Sequence, residues 1–253
     1  MNLTDITNNQ YVKTVLVILA VYVTILVVIQ IRKIYLYRRG DSVMLVDGIK
    51  DATKQAMLTR DTLPNSKVGQ EFTMSFWMYV NDFNYQYSKP KHVFHIGDDN
   101  ANSTTPGVWI YPKDNHMMIR FDTMDRRTGI SMNPLSNPAI LGERKECDVV
   151  DLPVQKWVYI TLVFINKTLD VYVNGKLQRS CTSGALPKDI VGNIHINKWG
   201  GFDGKLSNLK YVNRALSADT IYSNYLDGSE HLTWWSKLKS YIPKVKIDIG
   251  LDN

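Results

Sequence analysis

The chain opens with a long apolar run. Residues 14–31 read T-V-L-V-I-L-A-V-Y-V-T-I-L-V-V-I-Q-I, with no charged position. As a helix this run would rise about 27 Å, close to the hydrocarbon thickness of a bilayer. Lys13 bounds it on one side and Arg32 and Lys33 on the other, with Tyr11, Tyr35 and Tyr37 placed for the interfacial aromatic belts. Beyond residue 40 the periodicity changes. In residues 71–80, Phe72, Met74, Phe76, Met78 and Val80 alternate with Thr73, Ser75, Trp77 and Tyr79, the period-two signature of a strand. Residues 107–111 and 117–123 predict a hairpin. Residues 157–165 are apolar on both faces, as in a covered central strand, and residues 169–174 alternate again before Asn174-Gly175, a turn pair that tolerates positive φ. Residues 192–198 and 202–212 supply two further strands. Near the end, Ser217 is placed to cap a helix, with Leu216 and Ile221 at the positions of a hydrophobic staple and Gly228 able to close it. Short strands with little helix between them predict an antiparallel sandwich.

This pattern divides the chain into a short tail (1–13), a transmembrane helix (14–31), a basic juxtamembrane linker (32–64), a β-sandwich (65–228) and an amphipathic C-terminal tail (229–253). A cleaved signal peptide fits less well. The apolar run is too long, no basic cluster precedes it and no small-x-small site follows. The twelve residues before Lys13 carry one charge, Asp5, whereas Arg32, Lys33, Arg38 and Arg39 follow the run, so the positive-inside rule places the large domain on the cytosolic face. Of the sequons at Asn2, Asn102 and Asn166, only Asn2 would then face the lumen.

The formal charge of +6 is modest, and its basic residues beside the apolar run point to lipid headgroups before nucleic acid, for which no binding signature is visible. Arg32, Lys33, Tyr35, Tyr37, Arg38 and Arg39 form the expected membrane-interface set. Trp234, Trp235, Lys237 and Lys239 in the tail suggest a lipid or partner contact, or else a last strand folding back on the sandwich, with Pro243 ending any helix there. The histidines are His92, His95, His116, His195 and His231. His92 and His95 stand three apart, on opposite faces of a regular strand, which suits joint metal binding poorly. Asp98, Asp99 and Asn100 are at most weak calcium candidates, because Asp/Asn-rich stretches are also ordinary turns; no metal ligand or cofactor is assigned. Trp109, Trp199 and Tyr111 are potential sugar platforms if exposed, and core residues otherwise. Glu143, Glu146, Asp148 and Asp151 read as solvated loop charges. Cys147 and Cys181 flank a hairpin turning near Asn166-Lys167, which brings Cys181 opposite residue 152 and makes a bridge feasible; two reduced thiols are the alternative in a cytosolic setting.

Three stretches resemble the laminin G-like branch of the concanavalin A-like lectin/glucanase superfamily: F-T-M-S-F-W-M-Y-V at 72–80, Q-K-W-V-Y-I-T-L-V-F-I-N-K-T-L-D-V-Y-V-N-G-K-L at 155–177, and F-D-G-K-L-S-N-L-K-Y-V-N-R-A-L-S at 202–217. The resemblance implies an all-β fold, a concanavalin A-like antiparallel jelly-roll sandwich preceded by a single transmembrane helix. Glucanases of that superfamily use a strand motif resembling E-x-D-x-x-E, which sets two carboxylates across a sugar. This sequence has no such motif and no G-x-S-x-G elbow, so a glycosidase is the least favoured reading. The string E-C-D-V-V-D-L-P-V-Q-K-W, with Y-V-N-G-K-L-Q-R-S-C after it, is similar to a subgroup common in large DNA viruses, often behind one N-terminal transmembrane helix. That similarity implies a minor capsid or virion-membrane protein tethering an internal membrane to a protein shell. It also favours the Cys147–Cys181 disulfide, because some such viruses supply thiol oxidases. The expected partners are the lipid bilayer and another protein, including capsid proteins, with a displayed glycan-binding module as the alternative.

Overall fold

The computed structural model describes residues 10–37, 40–64, 70–125, 131–142, 145–189 and 191–229. It divides into two units, residues 1–41 and 42–253. In the first, helix α1 (Gln10–Tyr37) contains a span, Lys13–Arg32, long and apolar enough to cross a membrane. The side chains of that span are exposed within the protein, as Val15, Leu19 and Ile25 illustrate. Arg32 is exposed as well, whereas the side chains of Lys33, Tyr35, Tyr37, Arg38 and Arg39 lie outside the described residues, as do Trp234, Trp235, Lys237 and Lys239.

The second unit is a two-sheet sandwich. Its strands are β1 (Ser42–Asp51), β2 (Ala56–Leu58), β3 (Glu71–Val80), β4 (Lys91–Gly97), β5 (Thr104–Ile110), β6 (Met117–Arg120), β7 (Trp157–Ile165), β8 (Thr168–Val173), β9 (Lys176–Thr182), β10 (Asn193–Ile196) and β11 (Gly204–Val212). One sheet has six strands in the order β1-β11-β3-β7-β8-β9; the other has five, β2-β10-β4-β5-β6. Neighbouring strands pair antiparallel throughout both sheets. The alternation in β3 does what it predicts: Phe72, Met74, Phe76, Met78 and Val80 enter the core between the sheets. There Phe72 stacks on Phe164 at 4.5 Å and Phe76 meets Phe94 edge-on at 5.3 Å.

The opposite face of β3 and β7 is also dry. Trp77, Tyr159, Val163, Tyr172 and Val212 pack under helix α2 (Ala218–Leu226) with Leu216 and Ile221. This explains why β7 is apolar on both faces. Ser217 caps α2 by accepting from the Thr220 amide, and Leu216 and Ile221 close the staple in one buried cluster. Asn174 and Gly175 turn β8 into β9 at φ 50° and 77°. After α2, the carbonyl of Ser229 accepts from Ser207 Oγ (2.8 Å) and Asn208 Nδ2 (2.9 Å), which fixes the end of the helix against β11.

Strand pairing begins at Ser42, well inside the stretch expected to be a linker. β1 pairs with β11 through two register shifts, between Met44 and Val46 and between Val46 and Ile49, and these break the period of two that would have revealed it.

A candidate functional site on the five-stranded sheet

The outer face of the five-stranded sheet is built differently from its counterpart. An extra residue in β4 sets His92 opposite Trp109, Phe94 opposite Val108 and His95 opposite Gly107. Val93 and Phe94 therefore both turn into the core, while His92 and His95 emerge on the same outer face. This corrects the expectation that two histidines three apart would diverge, which assumes an unbroken strand. His195 of β10 pairs with His95 across the strands and stacks on it at 4.6 Å. Trp199 lies parallel to both Trp109 (5.3 Å) and His95 (5.7 Å) and meets His92 edge-on (5.1 Å).

Hydrogen bonds order these rings. The Lys198 amide lies 2.9 Å from His92 Nδ1, His92 Nε2 lies 2.7 Å from His95 Nδ1, and His95 Nε2 lies 2.9 Å from the Asp98 carbonyl. The ends of this chain fix its direction, because an amide only donates and a carbonyl only accepts. His95 therefore carries its proton on Nε2, and so does His92. Burial, with neighbouring positive charge, holds His92 well below its ordinary range and brings His95 down to about 3; His195 is lowered too, chiefly by burial.

The 197–201 turn carrying Trp199 depends on left-handed backbone. Asn197 and Trp199 have φ of 50° and 56°. Gly201 (φ 58°) has no room for a Cβ, which would fall 2.0 Å from the Ala52 carbonyl oxygen. Gln86 Nε2 and Tyr85 OH each donate at 2.9 Å, to the carbonyls of Trp199 and Gly200. Beside this turn a cleft of about 250 Å³ is lined by Gln55, Ala56, Met57, Asp99, His195 and Lys198. His195 Nε2 is buried there without a hydrogen bond, although it lies 3.3 Å from Asp99 Oδ1. Met57 is 56% exposed and gives the cleft an apolar wall. Such a surface can bind: it offers hydrogen-bonding groups of both kinds, an ammonium, a carboxylate and an apolar contact, and it holds no carboxylate pair for general acid–base work.

The other residues singled out from the sequence fall as follows. Asp98 Oδ1 accepts from the Asn102 amide at 2.7 Å, and Lys198 Nζ stands 3.8 Å from Asp99 Oδ1. The 98–102 segment is thus a turn with its own cation alongside, and no group of three acidic, histidine or cysteine side chains able to hold a metal occurs among the described residues. Trp109 is fully buried, whereas Trp199 and Tyr111 are half-buried, Trp199 stacked on Trp109 and His95 and the Tyr111 hydroxyl donating to Asp148.

Asp148 is not a solvated loop charge. It is 3% exposed and pairs with the fully buried Arg120, whose Nη1 and Nη2 reach its two oxygens at 2.5 and 3.2 Å. The Ile119 amide and Tyr111 OH also donate to it, and desolvation together with this carboxylate pushes the Tyr111 phenol up to about 12. Glu146 and Asp151 are exposed as expected; Glu143 lies outside the described residues.

Cys147 and Cys181 form a disulfide, with Cα atoms 5.6 Å apart. The route differs from expectation. Residues 166–182 make a second hairpin, so Cys181 faces Leu169 across β8–β9 rather than residue 152. Cys147 reaches it from the short turn Lys145–Cys147, immediately before Asp148.

Comparison with known proteins agrees with this architecture. No curated protein matches the chain. Among solved structures it is similar to a mutant of the protein described as HCR/D, at 12% identity and a TM-score of 0.51, covering 73% of this chain and 46% of that one. The botulinum neurotoxin serotype D binding domain (12% identity, TM-score 0.48) and the type G receptor-binding domain (15%, 0.45) align over the same shares, 73% of this chain and 46% of theirs. The chain spans less than half the length of these proteins, and at such identities the likeness is one of fold. Residues 50–222 match the laminin G family described under the concanavalin A-like lectin/glucanases heading, and with most of its length inside that match the chain belongs to the concanavalin A-like lectin/glucanases superfamily.

Proposed function

We propose that this chain is a membrane-anchored, non-enzymatic binding protein: α1 spans a bilayer as a single-pass anchor, and the sandwich, on the cytosolic face, engages another protein. In its sharper form the proposal makes it a minor capsid or virion-membrane component that tethers an internal membrane to a protein shell. The observation that carries it is the pairing, in one chain, of the exposed apolar span Lys13–Arg32 with a sandwich that presents a lined cleft and spends its buried acid, Asp148, on Arg120. The resemblance of the 146–181 region to proteins of large DNA viruses supports the sharper form.

The test is cross-linking in the native membrane followed by identification of neighbours, alongside an alkaline carbonate wash. The expected result is a chain retained with lipid and cross-linked to shell proteins. Release by carbonate would remove the anchor, and protection of the sandwich from protease in cytosol-side-out vesicles would reverse the orientation. Glycan display remains the rival reading; saturable sugar binding on an array would promote it over the tether.

A further inference from the structure

We propose that the His92–His95 pair is an acid-sensitive latch: it clamps the 197–201 turn to the 98–102 turn over the outer face of the five-stranded sheet, and uptake of a proton by either imidazole releases the 197–201 turn and remodels the cleft at His195. The inference concerns the regulation of the cleft read above as the binding face, and rests on that reading only for its biological use.

Every ring nitrogen of the pair is committed. His92 Nδ1 receives the Lys198 amide, His92 Nε2 donates to His95 Nδ1, and His95 Nε2 donates to the Asp98 carbonyl. A second proton on His95 would confront the His92 N–H across 2.7 Å, and a second proton on His92 would confront the Lys198 amide across 2.9 Å. Neither nitrogen has an alternative acceptor in the closed arrangement, and His95 Nε2–H goes on donating to the Asp98 carbonyl, so a protonated ring must part the chain at the His92–His95 link or at the Lys198 amide, on the side of the 197–201 turn. The chain joins two turns, through the Lys198 amide and the Asp98 carbonyl. The 98–102 turn carries Asp99, and the 197–201 turn carries Lys198 and Trp199; with His195, Asp99 and Lys198 line the cleft.

The charged and titratable groups facing the pair come from several elements. The Asp98 backbone carbonyl and the Asp99 carboxylate on the first turn favour protonation of His95. Lys198 on the second turn and His195 on β10 oppose it. β5 contributes the uncharged Trp109. Opening relieves the burial that keeps both rings neutral and returns them toward the ordinary histidine range.

The Lys198 amide reports the latch directly. Hydrogen exchange on the full-length protein in detergent, corrected for intrinsic rate, would follow this amide and the β7 amides at pH 7 and pH 5. With an open-state value near 6.5, opening should rise about 25-fold for each imidazole protonated on release. Protection at Lys198 is expected to fall by at least that factor while β7 holds. The variant His95→Gln, which keeps a hydrogen-bonding side chain but cannot titrate, should flatten the response to the share left by His92. Unchanged protection at Lys198, or loss in parallel with β7, overturns the latch, and wild-type data alone decide this if the variant fails to fold. No ligand enters the measurement, so its outcome is independent of whether the cleft binds anything.

Discussion

The two sheets of this sandwich cover their outer faces by different means. On the six-stranded sheet a helix lies over Trp77, Tyr159, Val163 and Tyr172, and the contact is almost wholly apolar. On the five-stranded sheet loops lie over His92, His95, His195, Arg120 and Trp109, and beside an apolar cluster of Trp109, Met118, Met132 and Ile140 the contact relies on committed hydrogen bonds and a buried ion pair. Apolar burial is tolerant, because shape can relax and no partner is left unpaired. Buried polar contact is exacting, because each group removed strands another in low dielectric. The first cover should therefore fail gradually and without regard to pH, and the second abruptly and in acid.

The largest test of that difference is Asp148→Ala, which leaves the Arg120 guanidinium buried without its carboxylate. It should cost about 3–5 kcal/mol in urea unfolding; a loss under 1 kcal/mol would show that this cover is not exacting. Next is Cys181→Ser, which frees the turn preceding Asp148. Opening a bridge across 34 positions should cost about 4 kcal/mol by the same measurement, on the chain-entropy account. Titration comes third. The folded value of His95, about 3, lies below its unfolded value near 6.5, so the unfolded chain takes up the proton first as pH falls. Stability is thus fully present above about pH 6.5 and should decline below it by about 1.4 kcal/mol per pH unit for this group, down toward pH 3. A flat stability between pH 6.5 and 5 would contradict the assignment. The smallest is Ser217→Ala at the cap of α2, expected to cost about 1 kcal/mol and to leave the pH slope unchanged. A changed slope would mean that the two covers are coupled through the core.

The same contrast governs what could be read from the sequence. β3 and β8 announce themselves because alternation maps directly onto buried and outer positions, β7 because it is apolar on both faces, and α2 because Ser217, Leu216 and Ile221 form a local motif. The histidine face was hidden by one extra residue in β4, which inverts the facing of everything after it. β1 was hidden by two such irregularities. Asp148 sits among Glu146, Cys147 and Asp151 in a stretch that looks like any polar loop; only the long-range approach of Arg120 distinguishes it, and no local pattern encodes that. The cysteine pairing was inferred correctly on an incorrect register, since the extra hairpin turn at Asn174-Gly175 reassigns the neighbour of Cys181 without carrying it out of reach of Cys147.

The clamp on Ser229 has a practical corollary. Ser207 and Asn208 grip that carbonyl on the helix-bearing side of the sandwich, so position 229 is held on the side remote from the histidines. A fluorophore or sensor-chip linkage attached at position 229 would thus leave the histidine side turned toward the analyte.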